Sequence, residues 1–256
     1  MSNTALITGA SSGIGREFAR YHAAKGGDLI ITARRGDALD SLKAEIEAAH
    51  GVSVTTIALD LGTADGAKQL YDALAGQKID ILINNAGFGG HGAFIDRALD
   101  SDLGMIDLNI KSLVSLCHMI GKDMADAGGG KILNVSSTAS YMPGPLQATY
   151  FATKAFVSSF SQALDEELRS KGVTVTALEP GYVATEFAAV ADLDGTGLVK
   201  QKGATPDTVA KFGYEAMLKG KLRAINDGQL RFLLNWIIPW LPRRRVLKMV
   251  RGMQEK

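Results

Sequence analysis

Thr4-Ala5-Leu6-Ile7-Thr8-Gly9-Ala10-Ser11-Ser12-Gly13-Ile14-Gly15 is the stretch whose reading decides the fold of this 256-residue chain. Thr4 to Thr8 is a short apolar run closed by Gly and Ser, which predicts a buried strand ending in a turn. Helical sequence follows from Ile14 to about Lys25, and Gly26-Gly27 ends it. The glycines between permit a tight turn and let a pyrophosphate approach the backbone and the positive end of the helix. Gly9, Ser11, Ser12, Gly13, Ile14 and Gly15 are therefore candidate cofactor contacts. The spacing is G-x-x-x-G-x-G, which differs from the G-x-G-x-x-G of the general dinucleotide fingerprint. A merely flexible Gly/Ser turn is the alternative, and the position directly after a first strand argues against it.

Outward from this turn, strand and helix alternate to the end of the chain. Further strands are predicted at Leu29–Thr32, Val52–Leu59, Ile79–Ile83, Lys131–Val135, Val173–Leu178 and Leu222–Ile225. Helices are predicted at Asp37–Ala49, Ala64–Ala75, Asp102–Ala127, Ala148–Lys171 and Asp207–Leu218. The strands are near-continuous apolar runs, as expected where both sheet faces are covered. Single helices between strands imply right-handed crossovers, hence an α/β fold with a doubly wound, parallel, seven-stranded sheet. No linker or repeat divides the chain, so residues 1–256 are expected to form a single domain.

Composition narrows the class. Hydrophobic residues make up 46% and charged residues 21%, enough apolar material for a substantial core. A net charge of +1 gives no whole-chain argument for nucleic acid. The single Cys117 rules out an internal disulfide and suits a reducing compartment, though it also fits a cysteine-poor secreted protein. Met1-Ser2-Asn3 runs straight into the first strand with no signal-peptide pattern, so a cytoplasmic location is expected. No His/Cys/Asp cluster has metal spacing, and no catalytic metal is expected.

Tyr150 and Lys154 lie four apart in a predicted helix, on one face and one turn from each other. An ammonium beside a phenol favours the phenolate and lowers a pKa that is ordinarily about 10. Together with the first turn, Asn84-Asn85-Ala86-Gly87 after the fourth strand, Asn109, Ser137 thirteen residues before Tyr150, and Pro180-Gly181 after the sixth strand, the pattern resembles the short-chain dehydrogenase/reductase family. The matching motifs run in order across residues 4–186. The resemblance implies a Rossmann fold and a nicotinamide-dependent oxidoreductase that interconverts a carbonyl and an alcohol. It assigns Tyr150 as general acid/base, with Lys154 tuning it and holding the nicotinamide ribose. Ser137 would orient the substrate oxygen, with its neighbour Ser136 as the competitor. Asn109 would fix a water leading protons to Lys154.

For the cofactor, the resemblance implies adenosine contacts at Asp60, Leu61, Asn85, Ala86 and Gly87, and a carboxamide cradle at Pro180, Gly181, Val183 and Thr185. Asp60 could instead cap the next helix. After the second strand the chain carries Arg34 and Arg35 where an acid would bind a ribose hydroxyl and repel a 2′-phosphate. Guanidinium groups bind phosphate oxygens, which favours NADP(H), with Arg34 leading and Arg35 or Ser12 assisting. An idle NADP-binding regulator or scaffold is the alternative function; it would be expected to lack Tyr150, Lys154 or Ser137. Residues 186–206 are expected to form a substrate lid. Phe88, His91, Phe94, Met142, Pro143, Tyr182 and Phe187 are candidate walls of an apolar substrate pocket. A homodimer or homotetramer through the two long helices is implied by the family.

The tail, residues 228–256, reads as an apolar then basic helical extension. Leu230 to Leu241 is apolar and interrupted by Pro239, and Arg243, Arg244, Arg245, Lys248 and Arg251 follow. Twelve residues are too few to span a bilayer, which needs about 20. A pocket flap or dimer contact with a solvated basic end is one reading. Peripheral contact with a membrane surface, through two Trp beside cations, is the other.

Overall fold

The structure, a computed structural model, describes residues 3–200 and 203–256. Met1 and Ser2 of the expected domain, and Gln201 and Lys202 of the expected lid, lie outside the described residues. Strands β1 (Thr4–Thr8), β2 (Asp28–Ala33), β3 (Val54–Ala58), β4 (Ile81–Asn84), β5 (Gly130–Val135), β6 (Val173–Leu178) and β7 (Arg223–Ala224) form one sheet. Its order is β3-β2-β1-β4-β5-β6-β7 and every neighbouring pair is parallel. This is the expected doubly wound, seven-stranded Rossmann arrangement.

The apolar runs are continuous because successive side chains enter opposite cores. Ala5 and Ile7 pack on one face beneath α1 (Gly13–Ala23), α2 (Gly36–His50) and α8 (Pro206–Leu218), with Phe18, Leu39 and Tyr214. Leu6 packs on the other beneath α3 (Gly66–Ala73), α5 (Leu113–Asp126) and α6 (Ala148–Arg169), with Leu70, Leu116 and Val157. Inside that second layer the Asn84 amide donates to Asn134 Oδ1 at 2.9 Å, and the Asn134 amide donates to Ser161 Oγ at 2.9 Å. This chain ties β4, β5 and α6 at the end of the sheet that carries the site.

Several boundaries differ from expectation for identifiable reasons. Strand β3 is trimmed to the residues that pair with β2, from Leu29–Val54 to Ala33–Ala58. Helix α3 stops early, and Ala75 takes a left-handed φ of 49° just beyond it. The expected helix Asp102–Ala127 runs instead as α4 (Leu99–Ile106), a π-helical turn (Asp107–Ser112) and α5. Leu99–Asp126 is the one helix among the described residues long and apolar enough to cross a membrane. Leu113, Leu116, Cys117, Ile120 and Met124 of that helix are buried within the protein core. Two short helices, α7 (Phe187–Val190) and α9 (Gly228–Phe232), and the final α10 (Arg243–Gln254) gather over the C-terminal ends of the strands.

Candidate active site

A cavity of about 570 Å³ opens at the C-terminal ends of β1, β4, β5 and β6. That is the switch point of the strand order, where the topology leaves a crevice. One wall is mostly backbone. Gly9 has φ +68°, and a Cβ there would lie 2.8 Å from Asn85 Nδ2 and 2.9 Å from Ala86 Cα. Asn85 Nδ2 donates to Thr8 O and Gly9 O, at 3.0 and 3.2 Å. Thr8 Oγ1 accepts from the backbone N–H groups of Asn85 and Ala86, each at 3.0 Å. The glycine turn and the β4 loop are thus bound into one surface.

The residues present fit a dinucleotide. Ser12 precedes α1 without a side-chain cap, so its hydroxyl accepts from none of the first amides of the helix, and Ser11, Ser12, Gly13 and Ile14 line the cavity. Gly13, with φ +55°, would bring a Cβ to 3.3 Å from Thr185 Cγ2 across the cleft. A Cβ on Gly15 would collide with Gly9 O and Asn85 Nδ2. At the far end Arg34 and Arg35 are both exposed. Arg35 approaches Ser11 Oγ at 3.3 Å and pairs with Glu186 at 3.1 Å. Arg34 has neither a hydrogen bond nor an ion pair among the described residues, so its guanidinium is free for an anion. Asp60 also lines the cavity and accepts from Gly62 N at 2.8 Å. It does not cap α3, whose cap position is Asp65. Leu61 is buried in the core beneath it and presents an edge to the cavity.

Ser137, Tyr150 and Lys154 all reach the same cavity, from the end of β5 and the first turns of α6. Ser137 Oγ accepts from Ala139 N at 3.1 Å, which leaves its own proton free to donate. The competing Ser136 is turned inward and donates to Lys154 O at 2.8 Å, with Ser158 Oγ also 2.8 Å away. Ser158 in turn donates to the fully buried Glu179, which also accepts from Tyr141 and pairs with Arg223. Ser136 therefore anchors α6 to the sheet.

Lys154 does not lower the pKa of the Tyr150 phenol as its spacing predicts. Lys154 Nζ donates to Val135 O at 2.8 Å and stands 5.8 Å from the centre of the Tyr150 ring. Burial dominates both groups: it pushes the Tyr150 phenol up to about 12, against a smaller downward effect of Ser137, and pulls Lys154 down to about 8. The rings of Phe151 and Phe187, centred 6.2 and 5.4 Å from that of Tyr150, supply the apolar surroundings. Tyr150 is therefore a neutral phenol in this state of the protein.

Asn109 sits in the π-helical turn, a local feature frequent at functional sites. Its Oδ1 accepts from Phe88 N at 3.1 Å, and its Nδ2 donates to Phe88 O and Thr153 Oγ1 at 3.0 and 3.2 Å. The amide is thus spent on joining the β4 loop to α6. A Cβ on Gly87 would fall 2.9 Å from Asn109 Oδ1 and 3.6 Å from Lys154 Nζ, so Gly87 keeps that space open.

The expected cradle also lines the cavity at Pro180, Gly181, Val183 and Thr185. Thr138 N donates to Pro180 O at 3.0 Å, and Val183 bridges to Ala204. Thr185 Oγ1 accepts from Phe187 N at 3.3 Å. Of the expected pocket walls, Phe88, Met142, Tyr182 and Phe187 line the cavity. His91, Phe94 and Pro143 do not: His91 Nε2 lies 2.7 Å from Gln254 O, and Phe94 and Pro143 are exposed.

The remaining wall was not anticipated residue by residue. Leu230, Leu234, Val250, Met253 and Gln254 of the tail line the cavity, together with Gln147. Leu230 and Leu234 recur four apart, as do Val246 and Val250, and that spacing was the available signal. Gln147 Nε2 donates to Gln254 Oε1 at 2.5 Å, while Gln147 Oε1 is buried without a partner.

A sequence model of the family described as short chain dehydrogenase matches residues 3–194. The chain belongs to the short-chain dehydrogenases. It is therefore an oxidoreductase of a family that works with nicotinamide cofactors. Among its relatives, the human protein named very-long-chain 3-oxoacyl-CoA reductase is 34% identical over 257 residues, covering 98% of this chain and 79% of that protein. The Macaca fascicularis protein of the same name has the same identity and coverage. A solved short-chain dehydrogenase from Sphingobium yanoikuyae, in complex with NADPH, superposes with a TM-score of 0.86. It is 29% identical, with 99% of this chain and 98% of that one covered. A bulky-bulky ketone specific alcohol dehydrogenase from Comamonas testosteroni gives a TM-score of 0.79 at 28% identity, covering 94% and 95%.

Proposed function

We propose that this short-chain dehydrogenase is an NADP(H)-dependent reductase of an apolar ketone, of the acyl-type class. The observation that carries the reading is the meeting of Ser137, Tyr150 and Lys154 in one cavity whose far end carries the unpaired Arg34. The backbone wall of Gly9, Ser11 to Ile14 and Asn85 to Gly87 would hold a nicotinamide dinucleotide, which would supply the hydride. Tyr150 donates its proton to the substrate oxygen as charge develops there, and Ser137 Oγ donates a second hydrogen bond to that oxygen. Lys154, held by Val135 O, places positive charge behind the phenol and reaches for ribose hydroxyls. Arg34, with Arg35 and Ser12 beside it, takes the 2′-phosphate. Burial keeps the phenol protonated, the form that can donate to a carbonyl oxygen in reduction.

The substrate class rests on two supports. The wall opposite the glycine turn is largely apolar, and two relatives cited above are named very-long-chain 3-oxoacyl-CoA reductase. Of the expected lid, the described residues Glu186 to Lys200 would cover the site, with Phe187 against Tyr150 and Glu186 paired with Arg35. The long helices carry exposed Leu99, Leu103 and Phe156, which suit a homodimer or homotetramer face that light scattering would reveal. The test is NADPH oxidation across 3-oxoacyl-CoA thioesters of increasing chain length, with Tyr150→Phe as control. Turnover that favours longer chains and disappears in the variant supports the reading. Unchanged turnover in Tyr150→Phe removes the catalytic assignment, and no turnover on any ketone favours an idle NADP-binding protein.

A further inference from the structure

The tail has two apolar faces, and only one of them is covered. Leu230, Leu234 and Ile238 recur every four residues and point inward, Leu234 and Ile238 being buried in the cluster with Phe151, Val246 and Val250. Phe232, Trp236 and Trp240 recur with the same spacing on the outside, at 61%, 67% and 84% exposure. Exposed Leu233, Ile237 and Leu241 run beside them. The π-helical turn Leu233–Ile237 holds these rows in register, since its longer repeat suits a spacing of four or more. An exposed ridge of this size is unusual on a soluble protein and signals a contact.

Charge identifies the occupant. Residues 228–256 contain seven Lys and Arg and one acid, net +6, whereas the other residues hold 21 bases and 26 acids, net −5. Helix α10 buries Val246, Val250 and Gln254 and turns Arg243, Arg244, Arg245 and Lys248 outward. None of these four cationic side chains, nor that of Arg231, makes an ion pair or hydrogen bond among the described residues. An apolar ridge carrying two Trp, bordered by unpaired cations, matches the boundary between acyl chains and anionic headgroups. A second copy of this chain would bring the same uncompensated cations against each other.

We propose that residues 228–256 seat the protein on an anionic membrane surface, with Phe232, Trp236 and Trp240 at the acyl boundary and Arg243, Arg244 and Arg245 among the headgroups. The inner face of the same segment lines the substrate cavity, so an apolar substrate has a short path from bilayer to site. This surface is independent of the catalytic reading, and its test requires no turnover.

Trp236 and Trp240 are the only tryptophans in the chain, so intrinsic Trp fluorescence reports this ridge alone. The full chain is mixed with vesicles of phosphatidylglycerol and phosphatidylcholine, or of phosphatidylcholine alone, and followed by flotation and Trp emission. Co-flotation with the anionic vesicles, a blue shift and quenching by brominated acyl chains are expected, all weakened by salt. The triple variant Arg243→Gln/Arg244→Gln/Arg245→Gln, whose side chains are exposed and unpaired, should fold normally and lose at least about tenfold in vesicle affinity. Trp236→Ala/Trp240→Ala should float no better, with its far-ultraviolet circular dichroism retained. Absence of both flotation and blue shift at low salt overturns the proposal. So does a blue shift that follows protein concentration without vesicles and tracks dimerisation by light scattering, because a second copy then covers the ridge.

Discussion

The two walls of the cavity are built by different physics. The glycine-turn wall, Gly9 to Gly15 with Asn85 to Gly87, presents backbone pinned by two side chains: Thr8 Oγ1 and Asn85 Nδ2 lock it through hydrogen bonds of 3.0–3.2 Å to main-chain groups. The opposite wall consists of side chains drawn from the tail, α6 and the lid, packed mainly by apolar contact. Backbone tolerates little change, because a single Cβ at Gly9 would meet Asn85 and Ala86 inside van der Waals distance. An apolar wall accepts swaps of similar volume. The first wall suits one cofactor, and the second can be reshaped for different substrates.

The largest expected effect lies where the walls meet. Tyr150→Phe should lower kcat for reduction by about 10²–10⁴-fold, the usual worth of a positioned proton donor. Binding of NADPH, followed by titration, should barely change. A loss of binding equal to the loss of rate would place Tyr150 in the cofactor wall instead.

Lys154→Met separates stability from function. The folded protein holds Lys154 near 8, below its ordinary 10.5, so between these pH values the unfolded chain binds the extra proton and wild-type stability rises with pH. Removing the charge should therefore stabilise the fold at pH 7 by up to about 3 kcal/mol, a gain that shrinks toward pH 10. Denaturant unfolding at the two pH values measures it, and activity should be lost throughout. Wild-type reduction should also decline as pH rises through about 8, while the Tyr150 proton stays in place.

Arg34 probes the rigid wall. Arg34→Ala should weaken NADPH binding about 10–100-fold, the worth of a charge-assisted hydrogen bond, and leave NADH nearly unchanged. Equal weakening of both in a titration would deny the 2′-phosphate contact. The smallest effect belongs to the adaptable wall. Leu230→Ala, at a half-buried position in the cavity lining, should raise KM for long acyl ketones about 3–10-fold and spare short ones. An equal change for both lengths would mean that the tail does not meet the acyl chain.

The first wall was readable in advance for the reason it is rigid. A left-handed turn needs glycine, and its residues are neighbours in the chain, so Gly9-x-x-x-Gly13-x-Gly15 and Asn85-Ala86-Gly87 announce it. Tyr150 and Lys154 were readable because one helical turn separates them. His91, Phe94 and Pro143 were misplaced as pocket walls, since an apolar or polar loop residue carries no sign of the direction it faces. Asn109 was located by its motif, while its bonds to Phe88 and Thr153 depend on elements 21 and 44 residues away.

By itself, then, the amino-acid sequence determined the strand–helix alternation, the doubly wound sheet, and the identity of the turn and of the Tyr150–Lys154 pair. Each depends on spacing within about one turn or one strand, which local sterics and periodicity enforce. Tertiary structure alone decided the protonation of the pair and the composition of the second wall. Burial raises Tyr150 and lowers Lys154 because phenolate and ammonium both lose water when Val135 and Phe187 close around them, and those neighbours arrive from separate elements. The same packing turned Leu234 and Val250 inward and left Trp236, Trp240 and the three arginines facing out.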